Sequence, residues 1–186
     1  RTFVDHWRGK WYVLKKYYNK TSISTTTDFK KFTSLIPNNK NSTYETFFLK
    51  GDYLISVIRE KQKREILFYN LVTKKIKTLS LINAKYSIYF QYISNLDIDN
   101  NTISLKYTTF IHPTKLVSID IDTLKVTTVY DFKGDKYNPN KYVEKLYQIN
   151  KNVFVTMLYK KGNSLKNKKC LLYGYGSYGH TIDPSF

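Results

Sequence analysis

The chain has 186 residues, 41% of them hydrophobic and 17% aromatic, enough apolar material for a core and too much for a disordered segment. It contains no run of about 18 uncharged apolar residues, the length a membrane-crossing helix needs. The formal net charge of +17 carries little of a nucleic-acid reader's signature, because only four of the 31 basic residues are arginine (Arg1, Arg8, Arg59 and Arg64) and base readout leans on the planar guanidinium fork. The lysines spread along the chain as pairs at expected strand ends, where they protect edges, and no specific nucleic-acid or membrane partner is expected.

Tyr and Phe, with 18 and 11 copies, favour strands, and the fold expected is mainly β. The start, RTFVDHW, lacks the apolar core of a signal peptide and the amphipathic helix of a transit peptide. It reads as the interior of something longer. Apolar and polar residues then alternate at WYVLKKY (11–17), DYLISVI (52–58), ISLKYTT (103–109) and KLVSIDI (115–121), with polar turns between them at PNNKNST (37–43) and DIDNNT (97–102).

These elements repeat. Laid over one another at an offset of 50, ILFYNLVTKKIKTL from Ile66 and LVSIDIDTLKVTTV from Leu116 match Thr73 with Thr123, Lys75 with Lys125, Ile76 with Val126 and Thr78 with Thr128. Each copy predicts a hairpin with an apolar stripe on each arm, preceded by another strand. Two similar hairpins in a β-sandwich would give the same match. The conserved order of strands around the hairpins favours four-stranded propeller blades, placed at about 1–50, 51–100 and 101–150. Three blades close no ring, so the chain is expected to be part of a longer protein.

Beyond residue 150 the texture changes, and a second domain is expected over 151–186. VFVTMLYKKG predicts a strand, SLKNKK a polar link, and CLLYGYGSYG a buried strand entering a glycine turn. Gly174, Gly176 and Gly179 spell G-x-G-x-x-G, but HTIDPSF opens no clear helix for a dinucleotide site. Ser177 fails the nucleophile-elbow pattern because Tyr175 stands where glycine is required. A third reading brings the backbone close to a substrate while aromatic side chains project into a site.

Cys170 is the only cysteine, so no internal disulfide forms and a reducing, cytoplasmic setting is expected. Sequons at Asn19, Asn41 and Asn100 arise readily in an Asn-rich chain. His6, His112 and His180 lie far apart, and no metal or cofactor is expected.

LLYGYGSYG followed by IDPSF resembles the opening of the catalytic domain in the prolyl oligopeptidase family, and its SYG form is similar to oligopeptidase B. YTTFIHPTKLVSIDIDT resembles that family's last-blade hairpin, NPNKYVEKLYQINKNVFVTMLYKKG its crossing between domains, and 29–71 an earlier blade. The sequence departs from the family at Phe154, where a proline is usual, at Lys169-Cys170 in place of Asn-Pro, and after Asn150, where an Asp-Gly turn is missing. The resemblance implies the C-terminal blades of a propeller followed by the first strands of an α/β-hydrolase domain. It implies a serine oligopeptidase that cleaves short peptides after Arg or Lys, with its Ser-His-Asp triad supplied by its own downstream catalytic domain. Carried over onto this sequence, it implies that Tyr175 donates to the oxyanion and that Tyr178 walls the substrate pocket. Simple packing of these tyrosines under the propeller, and a non-catalytic propeller interaction module as the function, stay open beside it.

Overall fold

The computed structural model describes residues 3–17, 20–36, 42–60, 63–83, 85–90, 100–132, 136–151, 153–177 and 182–186. Its described residues form fourteen strands and no α-helix. β1 (Phe3–Trp7), β2 (Lys10–Tyr17), β3 (Lys20–Thr26) and β4 (Thr33–Ile36) make the first sheet. The second holds β5 (Ser42–Lys50), β6 (Tyr53–Glu60), β7 (Lys63–Asn70) and β8 (Ile76–Leu79). The third holds β9 (Ser87–Phe90), β10 (Thr102–Thr108), β11 (Lys115–Asp120) and β12 (Val126–Asp131). In each, every strand pairs antiparallel with its neighbour in sequence, the up-and-down order of a propeller blade. A short 3₁₀ turn (Pro139–Lys141) then leads into the hairpin of β13 (Tyr142–Gln148) and β14 (Phe154–Lys160). Residue 150, the expected domain boundary, lies in the turn of that hairpin. Lys10, Lys20, Lys63 and Lys115 each open a strand, while the pair Lys30-Lys31 lies between β3 and β4.

The sheets stack through two cores, and the middle sheet is buried on both faces. Along β6 and β7, Leu54, Leu67 and Tyr69 turn toward Tyr12, Leu14 and Ile23 of the first sheet. Their neighbours in sequence, Ile55, Ile66 and Phe68, turn toward Ile103, Leu105, Val117 and Ile119 of the third. Strand period two dictates this division, and burial on both faces explains why β6 and β7 read as continuous apolar runs.

The repeat survives at the level of single hydrogen bonds. In the β7–β8 turn, Asn70 N donates to Lys75 O at 2.9 Å and Lys74 N to Asn70 O at 2.9 Å. In the β11–β12 turn, Asp120 N donates to Lys125 O at 3.0 Å and Leu124 N to Asp120 O at 2.9 Å. Thr73 N and Thr123 N both donate to the side chain at the turn's start, Asn70 Oδ1 or Asp120 Oδ1, each at 2.7 Å. Lys74 and Leu124 adopt left-handed backbone at φ 63° and 59°, a conformation that costs a non-glycine residue and is held here by the surrounding bonds.

The two turns differ in charge. The Thr123 hydroxyl, followed by the backbone N–H of Thr123, lowers the Asp120 pKa below its ordinary 3.8. A depressed carboxylate pKa adds stability above the unfolded value, and that stability disappears as pH falls through the folded value. Asp120→Asn should therefore be less stable than the parent at pH 7, and the gap should narrow from pH 7 toward about pH 2 as the carboxylate protonates. Urea midpoints at the two pH values check this; an unchanged gap at low pH would contradict it.

Three expectations need correction. The second and third sheets begin at Ser42 and Ser87, not near 51 and 101, because β5 hides its period: a bulge at Glu45 shifts its register against β6. The outer arms of the repeated hairpins bury no apolar stripe, since Ile76, Val126 and Val129 lie on exposed fourth strands. The run 170–177 is neither strand nor buried. Leu171 and Leu172 are 92% and 85% exposed, because among the described residues no strand pairs with them.

Candidate functional site

The β5 bulge places a carboxylate where two arginines meet. Arg59 of β6 and Arg64 of β7 stand directly opposite one another, an arrangement that repels unless anions intervene. Glu45, with no cross-strand partner in the register, fills that role. Arg64 Nε donates to Glu45 Oε2 at 2.7 Å and Nη2 to Oε1 at 3.1 Å, a two-pronged clamp, while Arg59 Nη1 reaches Oε1 at 3.2 Å. The second anion comes from the far end of the chain. Asp183 Oδ1 lies 2.7 Å from Arg64 Nη2 and 3.5 Å from Arg59 Nη1. Arg64 Nη1 also donates to Tyr86 O at 3.1 Å.

Two guanidiniums and two carboxylates thus form a neutral quartet around a side chain that is only 5% exposed. Burial alone would lower the Arg64 pKa, but Glu45 and then Asp183 outweigh it and hold it above the ordinary value. The guanidinium is permanently charged.

Asp183 lies in a strap, 182–186, that crosses from the second sheet to the third. Pro184 is buried, Phe186 N donates to Thr108 Oγ1 at 3.3 Å, and the Phe186 ring meets Tyr137 edge-on at 4.7 Å. Tyr137 in turn donates its hydroxyl to Ile111 O at 2.8 Å.

A cavity of about 280 Å³ is lined by Asn83, Lys85, Ile111, His112, Glu144 and Leu146. Lys85 Nζ donates to Thr156 Oγ1 at 2.7 Å, tying the β13–β14 hairpin to the segment before β9. Burial lowers the Lys85 pKa and raises that of Glu144. The Thr109 hydroxyl oxygen accepts from Ile111 N and His112 N, so its single proton turns to His112 Nδ1 at 3.1 Å. The imidazole is thereby assigned as the Nε2–H tautomer, and burial lowers its pKa.

Of the residues singled out in the sequence, Tyr175 is half exposed at 52%, on the same segment outside the strands as Tyr173 at 76%. Tyr178 lies outside the described residues. A methyl group at Gly174 or Gly176 would meet nothing within 4 Å, so no neighbour within the described structure requires glycine there. Cys170 is exposed, and no group of three metal-binding side chains occurs among the described residues. No described helix is long and apolar enough to cross a membrane. The quartet was missed from sequence, though a signal existed: in a chain dominated by lysine, two of the four arginines stand close together in REKQKR, and arginine is the residue suited to forked carboxylate pairing.

Three sheets of sequential antiparallel strands, packed face to face, define a partial β-propeller. The whole chain superimposes on oligopeptidase B from Trypanosoma brucei with covalently bound antipain, at a TM-score of 0.81 and 21% identity, spanning 29% of that chain. Oligopeptidase B from Leishmania major gives 0.81 at 17% identity, again over 29% of its length. Prolyl oligopeptidase B from Galerina marginata gives 0.67 at 16% identity over 28%. The fold is that of the propeller blades of prolyl oligopeptidase-like enzymes. No protein-family model matches the sequence, and no curated protein sequence matches it.

Proposed function

We propose that this chain is the blade-and-crossing portion of a cytoplasmic serine oligopeptidase that hydrolyses short peptides after Arg or Lys. The observation that carries the reading is a likeness that runs over the whole chain to a peptidase solved with antipain bound covalently. In this reading residues 1–150 belong to the propeller, which filters substrates by size, and 151–186 cross into the catalytic domain. The nucleophile, base and acid come from the downstream domain. Tyr175 supplies the oxyanion donor and Tyr178 an aromatic wall of the substrate pocket. Tyr175 is half exposed, on a segment that leaves the sheets, which supports a role directed away from the blades.

The test is hydrolysis by the full-length protein. Fluorogenic peptides of a few residues with Arg or Lys at the cleaved position should exceed their Ala counterparts by about 10⁴-fold in kcat/KM, the scale reached when a site built for a polar group meets an analogue without it. A folded protein substrate should remain uncut. A folded full-length protein that cleaves none of these peptides would favour a non-catalytic propeller module.

A further inference from the structure

The cavity lined by Lys85, His112 and Glu144 gathers both signs of charge from three separate elements. Lys85 comes from the segment before β9, His112 from the turn between β10 and β11, and Glu144 from β13. Lys85 is only 8% exposed, and one of its three N–H donors is committed to Thr156 Oγ1 at 2.7 Å. Glu144 is half-buried. The two lie near enough for each charge to act on the other, yet among the described residues no hydrogen bond or ion pair joins them. Burial penalises both charged forms, lowering the Lys85 pKa and raising that of Glu144, so each gains from a partner brought into the cavity. His112 Nδ1 is taken by the Thr109 hydroxyl, which leaves Nε2–H as the ring's remaining donor.

We propose that this cavity binds a small α-amino acid with an apolar side chain, its carboxylate on Lys85 and His112 and its ammonium on Glu144. Glu144 would repel a simple anion and Lys85 a simple cation, whereas a dipolar ligand satisfies both charges at once. Ile111 and Leu146 supply an apolar part of the lining for the side chain. At about 280 Å³ the cavity falls just below the roughly 300–1,000 Å³ of pockets for drug-sized ligands, which suits a single amino acid better than a peptide. The proposal stands apart from the peptidase reading, since none of these residues has a role there.

The experiment is calorimetric titration of the full-length protein with L-leucine and with two analogues that each lack one charge. Isocaproate keeps the carboxylate, and isoamylamine keeps the ammonium. Leucine should bind with a Kd of about 1 mM or tighter, within reach of so small a ligand. Each analogue should bind at least about tenfold more weakly, the scale of one hydrogen bond to a charged group. Glu144→Gln preserves shape and removes charge. It should reduce leucine's advantage over isocaproate to within about twofold while its advantage over isoamylamine persists. Lys85→Met should do the converse.

If Lys85→Met does not fold, the parent and Glu144→Gln titrations decide the matter. Absence of leucine binding by the folded full-length protein would overturn the proposal, leaving Lys85 and Glu144 as structural charges bridged by water. Equal binding of leucine and both analogues would overturn it too, because apolar contact alone would then account for the affinity. Leucine binding that Glu144→Gln leaves unchanged would place the ligand elsewhere and sink the assignment.

Discussion

Tyr175→Phe in the full-length protein is expected to slow the chemical step by about 10² to 10³, equivalent to about 2.7–4 kcal/mol of transition-state stabilisation. Phenylalanine keeps the ring and removes only the hydroxyl. On a side chain that is 52% exposed, the change should barely move the unfolding midpoint. Binding of a ground-state peptide should weaken far less than the rate, since the donor is aimed at charge that develops only in the tetrahedral intermediate. Single-turnover kinetics separate the two effects. An unchanged rate would mean that the phenol touches no reacting atom.

The second large effect is on stability. Arg64→Met fills much of the same volume but leaves Glu45 and Asp183 facing one guanidinium instead of two, and frees Tyr86 O. Breaking a buried ion pair costs about 3–5 kcal/mol. The lower end, about 3 kcal/mol, is expected here because Arg59 remains and the two carboxylates keep 28% and 39% of their exposure. Chemical denaturation of the full-length protein measures it. Replacing Glu45 with Gln in the same background should recover part of the loss, because one unbalanced charge is removed. A loss below about 1 kcal/mol, the scale of an exposed pair, would show that solvent screens the quartet.

The most legible parts of the sequence were those in which a single physical signal acts. β10 and β11 alternate because one face is covered and the other is not, while β6 is continuously apolar because both faces are covered. The Asn70 and Asp120 turns declared themselves through a shared Thr-Lys pattern that their hydrogen bonds reproduce. β5 was obscured because the bulge that aims Glu45 at the arginines also breaks the period by which a strand is read. The fourth strands were overread because an isoleucine or valine at a blade's outer edge has the same β propensity as one inside it. The buried strand expected at 170–173 failed because local apolarity specifies a need for cover without specifying its source. The quartet joins residues far apart in sequence, and no local pattern links Asp183 to Arg64.

That separation also orders events in time. Arg64 leaves the ribosome 119 residues before its second counterion. At about 5–20 residues per second, the second blade, whose last strand ends at Leu79, exists for about 5–21 s with two facing guanidiniums and a single carboxylate between them. During synthesis this blade is an intermediate with unbalanced charge, and the arrival of Asp183 neutralises it. Asp183 thereby completes the electrostatics of a sheet whose strands were made long before, so the blade's final stability is acquired only when the segment carrying Tyr175 has also emerged.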